Sequence, residues 1–141
     1  MERNRRGIER LRGLVGRIDD QQLLREVPVL GWSVAATLAH LAFWDGWAFA
    51  RWEGFALLGA FEDIPDSVQH LANAAAAEGW RAIPPRAAAN LALGSAERMV
   101  ARISTLGEPA IVAAESTGRQ YMLDRSAHWQ PHLEEIERAL A

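Results

Sequence analysis

The stretch from Ser33 to Trp52 constrains the chain most. Val34, Leu38, Leu41, Trp44 or Asp45, and Ala48 recur at the spacing of one helical face. Ala35, Ala36, Ala39 and Ala42 fill the positions between them, and small side chains allow neighbouring helices to approach closely. Ser33 is suited to cap the first turn. A helix this apolar has to be covered by other elements rather than lie on a surface. No run of useful length alternates apolar and polar residues, so the covering elements are helices too.

The rest of the chain supplies them. Ile8, Leu11, Leu14, Val15 and Ile18 mark an amphipathic helix over residues 2–17, with Arg and Glu on its other face. Asp19 or Asp20 caps a short turn through Leu24. Val27–Gly31 reads as an extended connector, because Pro28 disfavours helix in the residue before it. Gly54, Gly59 and Pro65 end the apolar helix in a loop. A third helix begins at Asp66 or Ser67 and passes Leu71, Ala74, Ala75 and Glu78. Gly79 and Pro84-Pro85 interrupt it, and a continuation runs from Arg86 through Leu93, Met99, Val100 and Ile103 to Gly107 and Pro109. Ile111–Tyr121 reads as a loop. A last helix runs from near Asp124 to Leu140, with Leu133 and Ile136 facing inward. Four main helices with short connections make an all-α four-helix bundle, with a short extra helical turn and an interrupted third helix.

A length of 141 residues suits one domain, residues 1–141, and half of them are hydrophobic, enough for one core. The net charge of -3 argues against nucleic acid or an acidic membrane surface as partner. Arg3, Arg5 and Arg6 are interleaved with Glu2 and Glu9 and read as an exposed helix face rather than a basic stripe. The start of the chain has no uninterrupted apolar run of the signal-peptide kind, and no window is long enough to span a bilayer. A cytoplasmic protein is expected. With no cysteine present, a metal ion has to be held by His, Asp or Glu.

Histidines occur at 40, 70, 128 and 132. His128 and His132 are four residues apart, which places them on one helical face with Cβ atoms about 5–6 Å apart. Both imidazoles can then reach one ion at roughly 2.0–2.1 Å. On its own this spacing also arises between surface residues. His40 sits in Leu38-Ala39-His40-Leu41-Ala42, where a polar group needs a partner, and a backbone carbonyl or carboxylate would serve. Bundle cores are where cofactor sites are built, and three neutral imidazoles suit zinc, nickel or iron. Pro131, between the paired histidines, removes a helical hydrogen bond to Ala127. Either the helix kinks there with both histidines converging, which we favour, or its regular part begins near Pro131.

Gly31-Trp32-Ser33-Val34 followed by Leu38-Ala39-His40-Leu41-Ala42-Phe43-Trp44-Asp45 resembles the signature of the DinB superfamily, the DinB/YfiT-like four-helix-bundle metalloenzymes. The resemblance continues through Asn73 and Trp80-Arg81-Ala82-Ile83-Pro84-Pro85 to His128-Trp129-Gln130-Pro131-His132. It implies a divalent metal held by His40, His128 and His132: zinc or nickel first, iron or manganese next. In some relatives the activity is a thiol S-transferase using bacillithiol or mycothiol, or a thiol-dependent isomerase. It also suggests a homodimer.

Trp44, Trp47 and Arg51 follow His40 at about one-turn steps and are candidates for the wall of a small-molecule pocket. Arg51 offers a cation to a carboxylate-bearing substrate. Asn73 is a fourth candidate, at the metal mouth or capping a turn. Asp45 points away from His40 and is not expected to touch the ion. A structural ion pair, or a supporting role behind the ligands of another helix, is open to it. His70 matches no ligand position and reads as surface or pocket rim. No residue is assigned a catalytic role. Two functions are expected to compete. One is a metal-dependent thiol transferase acting on small electrophiles. The other is a non-catalytic, metal-stabilised bundle, a stress-related dimer that binds a ligand or partner. Beside both stands a bundle with no metal, its histidines being hydrogen-bonded core and surface residues.

Overall fold

The computed structural model describes all 141 residues. Seven helices follow one another: α1 (Glu2–Arg17), α2 (Asp20–Leu23), α3 (Val34–Leu58), α4 (Ser67–Ala82), α5 (Pro85–Ser104), α6 (Glu108–Ser116) and α7 (Ser126–Leu140). Between α2 and α3, β1 (Glu26–Val27) pairs antiparallel with β2 (Trp32–Ser33). The expected all-α bundle is what forms.

Helix α3 is the central element, packed by α5 along its length and by α4 and α7 on other sides. Every residue from Val34 to Leu41 is buried, which explains why that segment is apolar all round rather than on one stripe. Ser33 caps it, its Oγ accepting from the Ala36 amide at 3.0 Å. The helix runs past Gly54 and ends only at Gly59, whose φ of 73° is the left-handed conformation that glycine adopts freely. Burial of Trp52 on one side offsets the ~1 kcal/mol that an interior glycine costs. Gly79 is likewise inside α4, so the break in the expected third helix falls at Ile83-Pro84 alone. The two pieces are distinct helices. The residues α4 turns inward are Asn73, Ala76, Ala77 and Trp80, while Leu71 is exposed.

Two further expectations are corrected. The connector at Val27–Gly31 is the tight turn of a two-strand hairpin, closed by bonds from the Leu30 and Gly31 amides to the Val27 carbonyl. Residues 111–121 are not a loop, because α6 occupies most of them and a 3-10 turn spans Gln120–Met122. Nine residues are marginal as an isolated helix. Ala110 and Ala114 hold α6 in place against a smaller apolar cluster with Trp52, Met99 and Met122.

Helix α7 is held by α1. Gly7 sits against the Trp129 ring so closely that a Cβ there would lie 2.8 Å from it. Asn4, buried on α1, takes over the capping of α7. Its Oδ1 accepts from the Arg125 and Ser126 amides at 2.8 and 3.1 Å, and its Nδ2 donates to the Leu123 carbonyl at 2.7 Å. Asn4→Ala therefore loses a helix cap and orphans buried backbone groups. It is expected to cost about 2 kcal/mol, read as a lower urea midpoint at unchanged slope.

Candidate metal centre

His40 lies two turns into α3, at a depth fixed by the Ser33 cap. His128 and His132 lie one turn apart on α7. Pro131 does not displace the start of the regular helix, since α7 runs unbroken from Ser126. The carbonyl that loses its bond, that of Ala127, belongs to an exposed residue, so water can satisfy it. Both histidines therefore keep the one-turn relation that the spacing requires.

The packing of α7 on α3 brings the three imidazoles together, one ligand atom from each lying within 4.8 Å of the others. His40 Nε2 and His128 Nε2 are 3.2 Å apart. Two nitrogens sharing a zinc ion in tetrahedral geometry lie about 3.3 Å apart, so this pair already has the separation that an ion imposes. The donor set also fits. His40 is driven down to about pKa 3, first by burial and then by the charge of His132. His128 is driven well below its ordinary value, by burial first and then by Arg125, His40 and His132. Both are neutral at physiological pH, the form that ligates a metal. His40 Nδ1 is buried without a hydrogen-bond partner.

Aromatic rings form the floor and sides. Trp32 from β2 and Trp80 from α4 pack on His40 with ring centroids 5.1 and 5.0 Å away. A cavity of about 410 Å³ opens from the histidines, walled by Trp32, Trp44, Trp47, Arg51 and Tyr121. Trp44 donates its indole N–H to Asn73 Oδ1 at 2.8 Å, so Asn73 lines the cavity and fixes that tryptophan. Arg51 reaches Tyr121 Oη at 2.8 Å and the Glu62 carbonyl at 3.0 Å. No carboxylate neutralises it. His70 is exposed and takes no part.

Four contributors escaped the sequence reading. Glu135 Oε2 lies 2.8 Å from His132 Nδ1, one turn along the same helix. Arg125 lies one turn before His128, its Nη2 3.5 Å from His128 Nδ1. Acidic and basic residues three positions from a histidine were the available signal. Trp32 and Trp80 come from other elements, and nothing local marked their contact with His40. Asp45 has the structural role left open for it: its Oδ1 accepts from Arg125 Nε at 2.9 Å and its Oδ2 from Trp129 Nε1 at 2.8 Å, all three residues being buried. Burial pushes the Asp45 carboxyl up, while Arg125 and Trp129 hold it down.

These depressed histidines set an acid limit for the metal-free protein. Above the ordinary imidazole value of 6.5, His40 and His128 are neutral both folded and unfolded. Below it the unfolded chain takes up protons that the folded sites refuse, so stability falls with pH, for His40 down to about 3. The melting temperature is expected to drop by roughly 5 °C or more between about pH 7.5 and 5.5. A His40→Gln/His128→Gln variant should show a flatter profile over the same range.

The fold is a helical bundle in which three histidines that could hold a metal ion converge beside a tryptophan-walled cavity. The family model for the mycothiol maleylpyruvate isomerase N-terminal domain matches residues 5–132, and the chain belongs to that family, within the DinB/YfiT-like clan. No curated protein and no solved structure matches the chain. No helix is long and apolar enough to cross a membrane.

Proposed function

We propose that the protein binds one divalent metal ion through His40, His128 and His132 and uses it in the reaction of a low-molecular-weight thiol with a small electrophile. The observation that carries this reading is the convergence of three imidazoles, two of them held neutral, at the end of a cavity large enough for a small molecule. The name of the matched family, mycothiol maleylpyruvate isomerase N-terminal domain, favours mycothiol as the thiol over bacillithiol. Zinc and nickel suit an all-imidazole set best, with iron and manganese behind them.

The chemistry such an ion supplies is Lewis-acid activation of a thiol that would otherwise be mostly protonated at neutral pH. The chain's own residues do the rest. Trp32, Trp44 and Trp47 exclude water from one side of the cavity and offer flat apolar surface to the electrophile. Asn73 holds the Trp44 ring in one orientation. Arg51 supplies positive potential near the mouth, where it attracts a carboxylate on the electrophile, although two of its N–H groups are engaged by Tyr121 and Glu62.

The test is to load the purified protein with Zn²⁺ or Ni²⁺ and supply mycothiol, or bacillithiol in parallel, with a panel of unsaturated and halogenated electrophiles. Metal-dependent consumption of thiol or isomerisation of the acceptor is expected, with at least a tenfold loss in Trp47→Ala. Full metal occupancy with no turnover across the panel would favour the non-catalytic alternative, a metal-stabilised bundle that binds a ligand or partner.

A further inference from the structure

The two histidines of α7 face opposite charges. His132 Nδ1 lies 2.8 Å from a carboxylate oxygen of Glu135, on the same helix and mostly shielded from solvent. A carboxylate only accepts, so the imidazole hydrogen sits on Nδ1 and the Nε2 lone pair is left free. His128 Nδ1 instead faces Arg125 Nη2 at 3.5 Å. A guanidinium only donates, so His128 Nδ1 is the acceptor there and its ring hydrogen falls on Nε2. That hydrogen points at His40 Nε2, 3.2 Å away, which leaves the His40 hydrogen on Nδ1. Nδ1 is the His40 nitrogen that is buried with no partner. One assignment thus fits the polar contacts of all three rings, and it leaves the His40 Nδ1–H buried without an acceptor.

Building on the metal reading above, we infer that Glu135 is a positioning residue that makes His132 the anchoring ligand, and that Arg125 leaves His128 the weaker one. A carboxylate behind an imidazole fixes its tautomer and raises its basicity. His132 is therefore ready to ligate through Nε2. His128 has to move its ring hydrogen from Nε2 to Nδ1, against the guanidinium, before its Nε2 lone pair is available. Arg125 cannot swing away to permit this freely, because Asp45 and the Tyr121 carbonyl hold it.

Two measurements test the inference. Ring ¹⁵N shifts of the metal-free wild-type protein, recorded at about pH 8, should show His132 protonated on Nδ1 and His128 on Nε2. The same tautomer on both histidines would overturn it, and this readout needs no variant. In Zn²⁺ titrations by competition with a chromophoric chelator, Glu135→Gln should weaken binding about 10–100-fold with helix content retained. His132→Ala should weaken it more than His128→Ala does. Unchanged affinity in Glu135→Gln, or the reverse order of the two alanine variants, would overturn the inference while leaving the metal site standing. A wild-type protein that takes up no Zn²⁺ would remove the metal reading and this inference together.

Discussion

Arg125→Leu is expected to lower stability at neutral pH by about 3–5 kcal/mol, the cost of leaving one member of a buried ion pair alone. The Arg125 and Asp45 side chains are only 5% and 0% exposed, so water cannot replace the lost partner. Asp45 sits at the junction of α3 and α7, where Trp129 also donates to it. The carboxylate can be accommodated in the variant only by taking up a proton. Its folded pKa, already raised by burial, then rises further. A carboxyl with a raised folded pKa favours the folded state at low pH and loses that contribution as pH rises through the folded value. The deficit of Arg125→Leu relative to wild type should therefore narrow as pH is lowered towards about 4. Adding Asp45→Leu to Arg125→Leu should recover part of the loss at pH 7, because two apolar residues there leave no unpaired charge. Urea unfolding of the three proteins at two pH values measures both effects. A deficit that does not change with pH would mean that the ion pair is not its source.

The second large effect is on metal linkage. An ion that binds only the folded protein stabilises it by about 4 kcal/mol at a thousandfold excess over Kd, which is roughly 10 °C in a protein of this size. Zn²⁺ should therefore raise the melting temperature of wild type by about that amount and that of His40→Ala by almost nothing. Of the three proposed ligands His40 alone lies on α3, so its removal would leave any remaining coordination within α7. The His40→Ala variant should remain folded without metal, since Trp32, Trp80 and the apolar face of α3 still cover the position. Equal shifts in the two proteins would place the ion elsewhere.

The helical architecture was legible because the signals for it are local. Ser33, the alanines between residues 35 and 42, and the spacing of Leu133 and Ile136 determine helix type and facing without reference to other parts of the chain. Where local signals misled, the reason was tertiary. Gly54 and Gly79 lie inside helices because burial of Trp52 and Trp80 outweighs the small cost of glycine. Residues 108–116 are helical because Ala110 and Ala114 have a core to pack against. Of the site, the three histidines and the candidates Trp44, Trp47, Arg51 and Asn73 could be named from residue type, spacing and family likeness. Spacing alone could not tell a converging pair from two surface histidines.

What the sequence by itself determined was a helical bundle, the absence of thiolate ligands, and which side chains were chemically able to hold an ion. Only the tertiary structure decided that His40 meets His128 at 3.2 Å and that Trp32 and Trp80 seal the floor. It also decided that Asn4 caps α7 from a helix more than a hundred residues away, and that Asp45 steadies the arginine behind His128. Helix periodicity is set by hydrogen bonds within four residues. The meeting of rings from α3 and α7 is set by how two helices pack, and that depends on every side chain between them.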